Sequence, residues 1–323
     1  MSEHEEYKSN FILRDIEHIE HIEHIEHNTK LHEEYQYLEL IKNVLEDGFI
    51  EKGRNGTTKS VFGRSMRFSL KNGKIPLLTT KKMAWKTCLK ELLWFTRGET
   101  DNKILQKNGV HIWDGNSSKD FMKNIGLGDY PDGILGPIYG FQWRHFNAPY
   151  NVNNGDILDE NKPGIDQLQF IIEQLQNPET RNSRRHIMTS WNPCQINKMA
   201  LPPCHILCQF NVCDGNKLSC AMYQRSADLL LGIPFNIASY CFLTHLIAHH
   251  CNLEAFEFIH FMGNVHIYED HFESAKLQLT KNPLGFPTIK IVNKREKIDE
   301  YEISDFQISD YTSHEMIKMK MVA

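Results

Sequence analysis

The eight cysteines of this 323-residue chain include no C-x-x-C pair, which speaks against a zinc ribbon or a thioredoxin-type redox centre; no metal site is expected. The first thirty residues are strongly polar and lack the apolar stretch of a secretory signal, so all eight thiols are read as reduced, in a cytoplasmic compartment. Positive charge is not in excess. Lysine and arginine number 36 against 41 aspartates and glutamates, a formal net charge of −5, so no general nucleic-acid-binding surface is expected. Any anionic ligand must be held by a local arginine cluster. No G-x-G-x-x-G follows a strand pattern, which removes the usual fingerprint of a nicotinamide or flavin site. The most apolar stretch, Leu229 to Ala248, is broken by Gly232, Pro234, Asn236 and His245 and reads as a buried helix with its entry loop, not a membrane span. The length allows about two domains, yet no Pro/Gly/Ser-rich linker divides the chain.

What is present is ordinary globular material, 41% hydrophobic and 24% charged, enough for one large core. Residues 1–30 are set apart as a low-complexity tail, and residues 31–323 as a single folded domain. Within the tail, residues 16–27 are four copies of Ile-Glu-His. A period of three drifts around a 3.6-residue helix, so the isoleucines keep no common face. Disorder is a better expectation than a metal site built from His18, His21, His24 and His27.

Asp214-Gly215-Asn216 is a strong hairpin signal between two strand-like runs, 206–212 and 217–223. With Asp214 and Gly215 as the central turn residues, Cys204 falls opposite Arg225. With Gly215 and Asn216 central, its partner becomes Ala227. Either register leaves a thiol beside a guanidinium at the open end of the hairpin, and a neighbouring cation lowers a thiol's pKa toward the nucleophilic thiolate. Pro202-Pro203 ends the preceding segment, so Cys204 begins the strand. The bland alternative is a core cysteine. A Cys204–His205 dyad is not expected, because successive strand residues point to opposite faces.

Helical spacing predicts a helix over 35–46, with Tyr37, Leu38, Ile41 and Leu45 on one face and Gly48 as its C-cap. A second is predicted over 83–97, where Glu91 sits between Cys88 and Phe95 at helical spacing. Burial there would raise its pKa toward a proton-shuttling range, although a helical glutamate is usually solvated. Gly53 to Ser60 has the composition of a phosphate-contacting loop. Residues 147–164 read as a surface loop before a helix over 165–176, and Pro234 suits the first position of a long buried helix, 235–251.

Pro202-Pro203-Cys204-His205, Tyr223-Gln224-Arg225-Ser226-Ala227-Asp228 and Gly232-Ile233-Pro234-Phe235-Asn236-Ile237-Ala238-Ser239-Tyr240 resemble consecutive signatures of the folate-dependent thymidylate synthases, and the likeness runs from about Tyr35 to Ala323. The resemblance implies an α+β fold: a mixed β-sheet with helices on one face and the other packed sheet-to-sheet in a homodimer. It implies reductive methylation of dUMP to dTMP with 5,10-methylenetetrahydrofolate as carbon and hydride donor, without metal, flavin or NAD(P). By the same resemblance Cys204 is the nucleophile and Glu91, in Glu91-Leu92-Leu93-Trp94-Phe95, the general acid/base. Tyr139 and Arg225 surround the thiol, Asn236 reads uracil, and Asp228 meets the pterin. Gln224, Arg54, Arg225 and Ser226 hold dUMP, with Arg184 and Arg185 reaching its phosphate from the partner subunit. His266 and Tyr268 take the deoxyribose hydroxyl. Trp113, Lys81 and the C-terminal Ala323 serve the folate.

The chain departs from the family's usual pattern in three places. Asn55 replaces a threonine in a loop one residue shorter, the approach to Arg184 is longer, and Asn264 stands where many relatives carry Asp. Three rival readings follow from the same residues: a pyrimidine hydroxymethylase, a catalytically silent nucleotide- or RNA-binding protein, and a cysteine hydrolase. Asn236 counts against a cytosine-specific hydroxymethylase, whose relatives carry Asp there.

Overall fold

The computed structural model describes residues 31–53 and 56–320; the Ile-Glu-His repeat, Arg54 and Ala323 lie outside the described residues. A six-stranded sheet runs in the spatial order β1 (Phe49–Gly53), β2 (Gly56–Ser69), β6 (Glu254–Tyr268), β5 (Lys217–Asp228), β4 (His205–Cys213), β3 (Ile187–Thr189). Neighbours are antiparallel except β5 and β6, which run parallel. A parallel pair cannot be joined by a tight turn. The helix Gly232–His250 makes the crossover, and the sheet is therefore mixed, within an α+β fold.

Strand alternation sorts the central strands cleanly. Cys208, Phe210, Leu218, Cys220, Met222 and Phe258 are at most 1% exposed and face the helices. On the other side Ile187, Tyr223 and Phe261 are 47%, 38% and 46% exposed, an apolar face left open. Packed on the inner side are α1 (Tyr35–Asp47), α2 (Trp85–Thr96), α3 (Tyr139–His145), α4 (Gln167–Gln176) and the crossover helix, α5. Asp166 caps α4 by accepting from the Gln169 N–H at 2.9 Å. The crossover helix is apolar on every side and nearly wholly buried. It begins at Gly232, two residues before Pro234, so the proline sits in the first turn, where amide hydrogens have no intrahelical partner in any case. No helix among the described residues is long and apolar enough to cross a membrane.

Several expectations are corrected. Gly48 is the C-cap as expected, its N–H donating to the Val44 carbonyl, but its backbone is extended and not left-handed; glycine is required because a Cβ would lie 2.5 Å from the Val44 carbonyl oxygen. Residues 56–60, expected in a loop, begin β2: Thr57 and Thr58 pair with β1, and Thr58 also with β6. The 147–164 segment contains a small ladder, Tyr150–Asn151 with Asp156–Ile157. Glu34, one residue before the predicted helix, anchors the chain. Its fully buried carboxylate accepts from the Thr79 and Thr80 amides at 2.8–3.0 Å and from both hydroxyls at 2.6 Å.

The central hairpin reached its expected end by an unexpected route. Its turn has three residues, with Cys213 paired to Lys217 and left-handed backbone at Asp214 and Gly215, φ 47° and 81°. That register alone matches neither two-residue turn. A bulge between His205 and Leu207 then shifts the pairing by one, and the Arg225 N–H donates to the Cys204 carbonyl at 2.9 Å.

Candidate active site

A cavity of about 370 Å³ lies at the end of the sheet where β4 begins and β5 and β6 finish. Cys204 stands at its wall. The Cys204 N–H donates to the Tyr139 hydroxyl oxygen at 2.7 Å. Gly140 lets α3 close on α2, since a Cβ there would lie 2.9 Å from the Phe95 carbonyl oxygen. Arg225 is pinned beside the thiol: its Nη2 and Nε donate to the Pro202 and Pro203 carbonyls at 2.7 and 2.9 Å, and its guanidinium lies 5.5 Å from the Trp191 ring centre. Two successive prolines thus remove donors and offer carbonyls that aim the arginine. The thiol's pKa moves opposite to the sequence expectation. Burial pushes the Cys204 thiol up, while Arg225 and the Tyr139 hydroxyl pull it down, and burial prevails.

His205 is also corrected. It lines the same cavity as Cys204, because Cys204 precedes the regular strand and the bulge follows directly, so simple alternation does not apply. The two make no dyad. Burial lowers His205 to about 4 against a bond to Asn236 that raises it, which leaves a neutral ring packed 5.2 Å from Tyr139 and 5.3 Å from Tyr240.

Glu91 projects from α2 into the cavity and is enclosed by protein on its other sides. Burial raises its carboxyl to about 7, partly offset by the Trp113 indole, whose Nε1–H donates to Oε1 at 2.7 Å. A group that titrates near neutrality can both give and take a proton.

Asn236, in the second turn of the crossover helix, is oriented through a buried relay. The His260 Nε2 lies 2.9 Å from the Gln224 Oε1, and Gln224 Nε2 donates to the Asn236 Oδ1 at 2.9 Å and to the Ser226 carbonyl at 2.9 Å. Burial lowers His260 to about 3, so the ring is neutral, and an amide oxygen can only accept its proton. That chain of donors sets which edge of Asn236 faces a ligand. Sequence reasoning missed His260. Its signal was a histidine at an inward position of an apolar alternation, Phe258-x-His260-x-Met262.

The cavity also gathers Trp113, Tyr139, Ser226, Asp228, His266 and Tyr268. Asp228 Oδ1 accepts from the Leu230 and Leu231 amides at 3.0 and 3.2 Å. Other candidates are elsewhere. Lys81 does not line the cavity; it is buried and donates to the Leu230 carbonyl, lowered to about 8 by burial although Asp228 and Glu34 raise it. Arg184 and Arg185 are exposed just before the edge strand β3 and do not reach this cavity. Asn116 and Leu201 line it without having been singled out. Among the described residues no three His, Cys, Asp or Glu side chains converge as a metal ion would need.

A family model described as thymidylate synthase matches residues 35–323. The chain is 49% identical over 292 residues to the thymidylate synthase of Homo sapiens, covering 90% of this chain and 91% of the human protein. It is 48% identical over 292 residues to the thymidylate synthase of Equine herpesvirus 2, covering 90% and 98%. It is also 47% identical over 293 residues to the bifunctional dihydrofolate reductase-thymidylate synthase of Leishmania major, of which it spans 55%. The chain thus covers about half the length of its bifunctional relatives and nearly all of the single-function ones. On this match, carried across almost the whole described domain, the chain belongs to the thymidylate synthase family.

Proposed function

We propose that this chain converts dUMP to dTMP by reductive methylation with 5,10-methylenetetrahydrofolate. The observation that carries the reading is the convergence of the Cys204 thiol, the Glu91 carboxyl and the Asn236 amide on one cavity. The Cys204 sulfur, after losing its proton beside Arg225, bonds to C6 of the pyrimidine, and C5 becomes the carbon nucleophile. The folate co-substrate supplies the one-carbon unit and then a hydride, leaving as dihydrofolate. Between those events C5 loses its proton, and Glu91, near 7, serves that transfer. Cys204 departs as the ring regains its double bond. Asn236 pairs with uracil N3–H and O4, and Asp228 and Trp113 meet the pterin. Arg225 and Ser226 hold the phosphate with Arg54; that remote binding places C6 within reach of the thiol. Incubation with dUMP and methylenetetrahydrofolate should raise dihydrofolate absorbance; no rise beside a working control enzyme overturns the reading, and a hydroxymethylated product by mass would replace it with the related hydroxymethylase.

The working unit in this proposal is a sheet-to-sheet homodimer. It is supported by the open apolar face around Ile187, Tyr223 and Phe261 and by the position of Arg184 and Arg185, exposed and outside their own chain's cavity. Both arginines then serve the partner's phosphate. Cys204→Ala and Arg185→Glu chains should each be inactive alone. Refolded together, half the dimers are mixed and each carries one intact site, so ~25% of wild-type activity should return. A mixture as inactive as its parents, with heterodimers proven, removes the shared site.

A further inference from the structure

We infer that Asn264 is a positioning residue that holds His266 as a hydrogen-bond acceptor toward the bound nucleotide's sugar, so that the site selects a ligand carrying a hydroxyl donor there. The inference rests on the nucleotide reading of the cavity. Asn264 and His266 are two apart on β6, so their side chains share one face. The Asn264 Oδ1 lies 2.9 Å from the His266 Nδ1. An amide oxygen accepts and never donates, so Nδ1 carries the hydrogen. Nε2 is then the ring's only lone pair. The ring is 9% exposed and lines the cavity. Its backbone is held on both sides, by the Leu229 N–H on its carbonyl at 2.9 Å and by the ladder to Ser60 and Asp228. Tyr268 stands edge-on at 5.3 Å. Of the charged groups around it, the Asp228 carboxylate on β5 favours the imidazolium, while burial opposes it and prevails. Asn264 contributes an acceptor without a charge. Burial thus favours the neutral ring, and Asn264 adds no charge that would oppose it.

The test reads the ring and the sugar separately. In wild-type protein, ¹⁵N NMR of His266 at pH 7 should show a protonated Nδ1 and an unprotonated Nε2. The 3′-fluoro analogue of dUMP, which accepts but cannot donate, should bind at least about tenfold more weakly than dUMP, the loss of one good bond. In Asn264→Asp a carboxylate replaces the amide and the imidazolium becomes favourable. KM for dUMP should then acquire a pH dependence near neutrality, kcat should change little, and the penalty on the fluoro analogue should shrink. Asn264→Leu should raise KM with kcat kept, and Asn264→Gln should recover part of it. A protonated Nε2 in the wild type, or an equal fluoro penalty in wild type and Asn264→Asp, overturns the inference. Failure of wild-type protein to bind dUMP at all would instead overturn the nucleotide reading, and with it this one.

Discussion

Glu91 and Asp305 are both carboxyl groups taken largely out of water, and the protein treats them in opposite ways. Asp305, with no exposed surface, is saturated: Arg295 donates to its two oxygens at 2.7 and 3.0 Å, Asn293 at 2.7 Å and the Glu302 N–H at 2.9 Å. Burial works against its charge, but these donors prevail and hold it at about 2. Glu91 has one donor, Trp113, and an open cavity on its remaining side; burial wins there and lifts it to about 7. The difference combines donors with depth: Glu91 lies deeper in the protein and has one donor, while Asp305 lies nearer the surface and is bonded on both oxygens. A saturated carboxylate fastens the chain, and one left short of partners is available for chemistry. Cys204 belongs with Glu91, since its surroundings also leave the reactive form less favoured than in water.

The contrast predicts that substitutions on the under-bonded side cost turnover and spare the fold. Cys204→Ser should have the largest effect. Turnover should fall by about 10⁴-fold or more, with thermal unfolding unchanged and dUMP still bound through Arg225 and Asn236. A mutant with near-normal turnover would remove Cys204 as the nucleophile. Glu91→Gln comes next, with kcat lower by about a hundredfold or more and KM for dUMP nearly kept. A change confined to KM would mean that Glu91 only shapes the cavity.

How far this division was legible in the sequence depends on the range of the contacts. The helices around Tyr37, Leu89 and Leu243 follow from spacing alone, because amphipathic or wholly apolar periodicity is local information. The Cys204–Arg225 pairing was reached through a two-residue turn that does not exist; a three-residue turn and a bulge at Ile206 cancel each other. Glu91, judged by residue type alone, belongs on a solvated face, and only the likeness of Glu91-Leu92-Leu93-Trp94-Phe95 to a known motif lifted it out. Glu34 with Thr79 and Thr80 gave no warning, and the inward position of His260 did not reveal Gln224 as its partner, since each pair meets across at least 36 residues of chain. Arg184 and Arg185 took their cross-subunit role from the resemblance alone, because in their own chain they are exposed and outside the cavity.

The same contrast governs how stability varies with pH. The folded-state pKa of Glu91 is raised, so the native state holds its proton more tightly than the unfolded chain does. Its contribution to stability is fully present below about 4.5 and is lost as pH rises through 7. At 1.36 kcal/mol per unit, this loss is on the order of 3 kcal/mol. Glu91→Gln has no such limb. Urea unfolding at pH 4 to 8 should show the mutant gaining on the wild type as pH rises, so that lost turnover accompanies greater stability at pH 8. A constant difference would show that the carboxyl is not strained in the native state.

Asp305 should give the mirror image, at smaller size. Its folded-state pKa is depressed, so the native state favours the carboxylate and the stability it supplies is present above about 4. That stability is lost as pH falls from 4 through 2. Arg295 is 37% exposed, and water screens the pair, so the pH-dependent part amounts to at most about 1 kcal/mol. Asp305→Asn keeps the shape and removes the charge. Unfolding followed between pH 2 and 6 should find the mutant less stable at pH 6, with the gap closing as the wild-type carboxylate is protonated. Turnover at pH 7 should be unchanged, because Asp305 does not line the cavity. If the gap persisted to pH 2, the donors around Asp305 would be bonding a neutral acid as well as its anion, and saturation by donors would no longer explain why the two carboxyls differ.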